Sequence, residues 1–394
     1  MKKTAVASII LVLFFCSLLP AQDSAAKEAY IKAMTTSDVN QKASLLKDWL
    51  SKYGGKGIEN ENFANATLCL LPYQEKSPEE TIKYGERAIE LGDLDASTKC
   101  QVLINLASAY TNQGQNLDKA VSYGSQVIQT AESAKGSSQD SKSAEAWDKM
   151  KGAGYYTQAQ AMEKAGNFKG AIDNYTSAYD ILKNKQIMSE LAALGKKLYE
   201  KKQYSDSAKA FKTANDVLNN FATTSFYAKS LHRSGNNEEA LKYYKQAFSK
   251  QKSGEVAYNT GLLLAAKAEK DPEVVDEAVE YLLYASFLSE SNSEKAMKLA
   301  ESLYFSTKSD YNERVKQLTA KAEELEELTN AFNEKFGEKT EEDLSEEEKE
   351  ELEKMREEIT NLQETVNQLQ NEQKEELDKF KALIEEIKKK LGIE

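Results

Sequence analysis

The chemistry open to this chain is limited first by its histidines, because the 394 residues include only one, His232. A single histidine cannot form a His-pair zinc site such as H-E-x-x-H, nor a multi-histidine iron or copper site. The sequence also lacks a G-x-x-x-x-G-K-[ST] phosphate loop and a G-x-S-x-G nucleophile elbow. The glycines at Gly54, Gly55 and Gly57 have the spacing of neither a phosphate loop nor a dinucleotide fingerprint. We therefore predict a protein without metal, cofactor or catalytic residue.

Carboxylate chemistry is harder to exclude, because 64 residues are Asp or Glu. A carboxylate-based hydrolase, or an accessory subunit of an envelope enzyme, would need paired acids in a pocket, and a sequence does not display such a pocket. This stays open as the alternative function. The 52 Lys and Arg residues leave a net charge of −12, which argues against a nucleic-acid partner.

The N-terminal residues 1–21 have the pattern of a secretory signal. Lys2 and Lys3 precede an apolar run from Ala5 to Leu19, which is too short for a comfortable membrane span. Ala21 is the small residue at the predicted cleavage site. We predict removal of the signal near Ala21 and a periplasmic or secreted location in a bacterium, with an uncleaved anchor as the alternative. No membrane contact is expected beyond this segment.

The clearest short pattern lies between Ser225 and Phe248, where two amphipathic helices surround a Gly-Asn turn. One face of each helix is apolar and consists mostly of small residues. These face residues are Ala228 and Leu231 in the first helix, and Ala240, Tyr244 and Ala247 in the second. Gly235 supplies the left-handed backbone that ends the first helix. The spacing resembles the tetratricopeptide repeat (TPR), a helix–turn–helix unit.

Related copies on both sides predict about seven helical pairs between residues 25 and 290. Their second-helix anchors lie near the 34-residue period of the family. These anchors are Thr81, Ala120, Ala171, Ser207, Ala240 and Ala278. One repeat cannot bury its apolar face alone, so the resemblance implies stacking into a right-handed superhelix with a concave groove.

The predicted domains follow from these copies and from the composition between them. Repeats occupy 22–131 and 144–290, and a capping helix follows over 291–309. The Ser-rich stretch 132–143 separates the two sets of repeats as an inserted polar loop, with a hinge as the alternative.

Residues 310–394 have a heptad pattern instead. Apolar residues from Val315 to Phe332 follow a three-four spacing, and a second run from Leu352 to Ile387 fits one heptad frame after an N-cap at Ser345. We predict a coiled coil, either as an antiparallel helical hairpin or as helices that pair between chains. Self-association through this region is the corresponding expectation.

Two cysteines follow the signal, Cys69 and Cys100. An oxidising compartment permits a disulfide between them. The repeat register places them about two turns apart along neighbouring first helices, or roughly 10 Å, which is too far for a bridge. We predict two buried, unreactive thiols.

The resemblance also implies that exposed residues of the first helices line the groove. Carried over to this sequence, they are Tyr156, Gln160, Glu163, Lys196, Tyr199, Lys229, His232 and Arg233. The four basic members form a strip in an acidic protein, and we predict that this strip binds an acidic peptide segment; a solvated charged surface is the alternative. One internal candidate for such a segment is Glu341 to Glu353.

Together these patterns predict an all-α chain, a TPR-type α-solenoid of about seven helical pairs followed by a long C-terminal coiled-coil helix or helical hairpin. The predicted function is that of a non-catalytic protein–protein interaction scaffold of the bacterial cell envelope. It would bind a partner peptide or protein in the groove, and would oligomerise or extend through the coiled coil.

Overall fold

The computed structural model of the chain describes residues 24–74, 76–137 and 143–393, which form helices joined by short turns and contain no strand. The chain divides after Asn219 into two compact units. The helices of the first unit are α1 (24–35), α2 (Val39–Tyr53), α3 (Glu61–Leu70), α4 (Pro78–Leu91), α5 (Ala96–Gln113), α6 (Leu117–Lys135), α7 (Ala144–Ala165), α8 (Phe168–Leu182), α9 (Lys185–Glu200) and α10 (Tyr204–Leu218). Those of the second unit are α11 (Phe221–Arg233), α12 (Asn237–Lys250), α13 (Gly254–Ala268), α14 (Val275–Leu288), α15 (Ser293–Ser306), α16 (Ser309–Phe336) and α17 (Glu346–Leu391).

The first fourteen helices pack as seven consecutive pairs, five in the first unit and two in the second. Short turns force the two helices of each pair to run antiparallel. Five of the six predicted anchor residues are fully buried, and only Thr81 is partly exposed. Ser207 is accommodated because its hydroxyl donates to the Gly195 carbonyl at 2.8 Å. Within each unit, this arrangement confirms the predicted all-α fold of TPR-type helical pairs.

The predicted helix boundaries rest on local capping. The side chain of Asp38 accepts from the Gln41 amide at 2.7 Å, and Ser77 caps α4 by accepting from Glu80 N at 3.2 Å. Gly235 has φ +87° between α11 and α12, as the turn requires. Helix α6 continues through Lys135, so the segment 132–143, predicted as a loop, begins with a helical turn.

The final two helices of the second unit form an antiparallel hairpin, which is the intramolecular alternative of the heptad prediction. At its closed end, Phe336, Leu344 and Leu352 are buried together. Lys339 reaches Glu348 across the turn at 2.8 Å. Ser345 caps α17 through a capping box with Glu348.

The far end of α17 packs on helices α14 and α15 of the same unit. The ring of Phe380 lies 4.9 Å from that of Tyr304 and 5.6 Å from that of Phe305. Lys390 pairs with Glu280 of α14 at 2.9 Å. Lys390 therefore has a partner outside its own helix, and α17 covers the helix that caps the last repeat.

The predicted signal, residues 1–21, lies outside the described residues. Within the described ranges, no helix combines the length and the apolar character that crossing a bilayer requires.

Both cysteines that follow the predicted signal, Cys69 and Cys100, are buried free thiols, as predicted. Cys69 belongs to the core shared by α1–α5, and Cys100 packs with Val127 and Trp147 in a separate cluster. Burial raises the pKa of each thiol to about 11. At pH 8 only about one molecule in a thousand would carry the reactive thiolate at either position.

We expect an aromatic disulfide reagent at pH 8 to modify neither Cys69 nor Cys100 in the folded chain without its signal, and to modify both after denaturation. Reactivity in the folded state should rise as the pH approaches 11. Intact mass with and without reductant should be identical for the untreated protein; a loss of two protons in the unreduced sample would contradict this description.

Candidate functional site

An open cleft of about 380 Å³ lies in the first unit where the first helices of three successive pairs come together. Helices α5, α7 and α9 supply most of its wall, and α8 contributes one tyrosine. The lining residues are Thr111, Asn112, Gln160, Glu163, Lys164, Tyr175, Glu190, Ala193 and Lys197. The wall is therefore polar and carries both signs of charge.

One side of the cleft is organised around Glu190. The Tyr156 hydroxyl donates to it and lies 2.8 and 2.9 Å from the two carboxylate oxygens. Gln160 Nε2 lies 2.8 Å from that hydroxyl and 3.4 Å from Glu190 Oε2. Burial, followed by the hydrogen bond to Glu190, raises the pKa of Tyr156 to about 12, so the hydroxyl remains a donor at neutral pH.

The other side is organised around Glu163. Its carboxylate accepts from the Tyr175 hydroxyl at 3.1 Å and from Lys197 Nζ at 3.3 Å. Burial is the largest cause that raises the pKa of Tyr175, and the negative charge of Glu163 is the next. The rings of Tyr156 and Tyr175 meet edge to face with centroids 6.2 Å apart, which joins the two sides.

Three predicted site residues, Tyr156, Gln160 and Glu163, are thus brought together at this cleft. Lys196 is exposed and does not line it, whereas the adjacent Lys197 does. Tyr199 packs its ring against Tyr204 of α10, with centroids 5.3 Å apart.

The other three predicted residues belong to the second unit. Lys229 is only 15% exposed and pairs with Glu255 at 2.8 Å. Burial, followed by the charge of Arg233, lowers the pKa of His232, so this histidine is neutral at pH 7. The strip therefore has less positive charge than its residue types suggest. Binding of an acidic segment there stays a prediction, and charge reversal of Lys229 and Arg233 would test it.

Two residues of the predicted acidic segment, Glu348 and Glu351, form ion pairs elsewhere in the second unit. Glu348 pairs with Lys339, and Glu351 pairs with Lys335 of α16. Their charges contribute to closing the hairpin.

The sequence interpretation missed Tyr175, Glu190 and Lys197. A usable signal was present, since Glu190 follows Tyr156 by 34 residues and Lys197 follows Glu163 by 34. Residues one repeat apart lie side by side on neighbouring first helices, so each member of such a pair predicts the other. In the part of the chain that the structure describes, no group of three or more His, Cys, Asp or Glu is arranged to hold a metal.

No protein-family profile and no curated protein matches the chain. Similar solved structures include TPR proteins. A TPR protein from Parabacteroides merdae ATCC 43184 has 14% identity and a TM-score of 0.35, over 71% of this chain and 99% of its own. YrrB, described as a TPR protein with an unusual peptide-binding site, has 18% identity and a TM-score of 0.31, over 55% and 97%. TM-scores this low support no further argument, so the description of the fold rests on the helix packing given above.

Proposed function

We propose that this chain is a non-catalytic protein-interaction scaffold that binds a peptide segment of a partner in the cleft between α5, α7 and α9. The observation that carries the proposal is the cleft itself. Three successive first helices present polar side chains to it, and the Tyr156–Glu190 and Tyr175–Glu163 hydrogen bonds already fix the positions of those four side chains on α7, α8 and α9. Preorganised polar groups beside an open surface favour binding, because little side-chain freedom remains to be lost.

Hydrolysis, the alternative function, is not favoured by this geometry. The two carboxylates of the cleft, Glu163 and Glu190, already accept hydrogen bonds from tyrosine hydroxyls, and Glu163 is also paired with Lys197. These contacts position them as fixed acceptors for a ligand.

Placement in the envelope of a bacterium is part of the proposal and rests on the signal pattern of residues 1–21. Self-association through the hairpin of α16 and α17 is a further prediction. Light scattering on the full chain tests it, and a monomer mass at micromolar concentration would contradict it.

The cleft assignment is tested by filling the cleft without changing its charge. Ala193 is exposed in the lining, so Ala193→Trp should block any peptide seated there. Ser189 is exposed on the same helix and is not among the lining residues, so Ser189→Trp is the matched control. Peptides selected from a random display library on the full chain should lose at least about tenfold in affinity to the first variant, by analogy with loss of a well-packed contact. Equal binding to both variants would refute the site.

A further inference from the structure

Ion pairs between neighbouring repeats recur along the first unit. Three of these pairs join a lysine to a partly buried glutamate about one repeat away in sequence. The pairs are Lys47–Glu80 at 2.6 Å, Lys119–Glu86 at 2.7 Å and Lys197–Glu163 at 3.3 Å, separated by 33, 33 and 34 residues. In each pair the lysine compensates a carboxylate that packing has partly removed from water.

Glu190 departs from this pattern. It is also partly buried, but the residue one repeat away is Tyr156, a neutral donor. Within the described ranges no lysine or arginine lies at ion-pair distance from Glu190. Its second contact, Gln160, is neutral as well. The cleft therefore holds one carboxylate in a fixed position with no cation at ion-pair distance, and a bound cation would offset the loss of solvation that partial burial imposes on its charge.

From this juxtaposition we infer that Glu190 receives the side chain of a lysine or arginine in the bound peptide. The inference rests on the proposed peptide-binding function and names the ligand chemistry of the same cleft. A carboxylate has about four acceptor positions, so the bonds from Tyr156 and Gln160 leave capacity for a further donor. A bound ammonium or guanidinium group would complete the shell with charge-assisted hydrogen bonds.

The rest of the wall fixes where that basic side chain sits. Glu190, Ala193 and Lys197 lie at i, i+3 and i+7 on one face of α9. Ala193 leaves space beside Glu190, whereas Lys197 at the next position repels a cation. The negative partner that Lys197 needs is already supplied by Glu163. A basic residue of the peptide is thus directed to the Glu190 end of the face.

The test uses peptides selected from a random display library on the full chain. We expect enrichment of one lysine or arginine position, and a loss of about tenfold in affinity when Glu190→Gln removes the charge while keeping the shape. Glu200 is exposed on the same helix and is not among the lining residues, so Glu200→Gln is the matched control and should leave affinity unchanged. Replacing the enriched basic residue by alanine should cost the same factor on the wild type and nothing further on Glu190→Gln.

The possible outcomes distinguish a failure of this inference from a failure of the proposed peptide-binding function. Peptides that Ala193→Trp blocks, but that show no basic preference and bind Glu190→Gln normally, would overturn the inference and leave the cleft as the site. Peptides that Ala193→Trp does not block would overturn the proposed function itself. Circular dichroism of each variant confirms that loss of binding is not loss of folding.

Discussion

Placing valine at Gly124 is expected to destabilise the first unit by about 2–3 kcal/mol, because α6 and α7 are in near contact at this residue. A Cβ atom at position 124 would lie 2.8 Å from Gln158 Cβ and 3.2 Å from the Gln158 backbone N and Cα. Backbone atoms cannot rotate away as the end of a side chain can. The two helices would have to separate, which weakens the packing of Val127 and Trp147 nearby.

The separation would also be transmitted to the cleft. Gln158 Nε2 donates to Ser125 Oγ at 2.6 Å, and Asn174 Nδ2 donates to Gln158 Oε1 at 3.2 Å. The same helix, α7, carries Gln160 and Glu163 into the lining. Peptide affinity should therefore fall together with stability in Gly124→Val.

Urea unfolding followed by circular dichroism measures the stability change, with Gly136→Ala as the control. Gly136 lies at the end of α6 with φ −81°, and an added Cβ there would meet no atom closer than 3.7 Å. Alanine at that position should change the free energy of unfolding by no more than about 0.5 kcal/mol. Equal effects of the two substitutions would contradict the close helix crossing.

Most of the fold could be predicted because repeat proteins encode each helical pair locally. Small anchors such as Ala171 and Ala240 recur near one period, and N-caps such as Asp38 and Ser77 mark where helices begin. The pairing of α16 with α17 was left as two alternatives, since a heptad pattern does not say whether the partner helix lies in the same chain.

The site was only partly predictable, because the exposure of a side chain on a helix depends on how the neighbouring helix packs against it. Lys196 and Lys197 are adjacent in sequence, but about 100° of rotation separates their side chains, and only Lys197 faces the cleft. Similarly, the residue type of Lys229 and its place on a first helix suggested a binding residue. Only the packed structure shows that it pairs with Glu255. Composition identified the helices that form the surface, whereas the tertiary contacts decide which charges remain available.

Removing the ring of Phe380 should detach the end of α17 from the helix that caps the last repeat. Phe380 is 6% exposed and packs on Tyr304 and Phe305 of α15. Truncation to alanine should cost about 3 kcal/mol by loss of burial and creation of a cavity. Because a solenoid unfolds repeat by repeat, we expect a local effect in the second unit.

Hydrogen exchange with peptide-level readout is the appropriate measurement, and Leu377→Ala is the matched control. Leu377 lies one turn before Phe380 on α17 and is 36% exposed, so its truncation removes little buried surface. In Phe380→Ala, the amides of α15 and of the last turns of α17 should exchange about a hundredfold faster, which corresponds to roughly 3 kcal/mol of lost protection. Helices of the first unit should keep their exchange rates. Equal exchange in both variants would mean that α17 does not hold the capping helix in place.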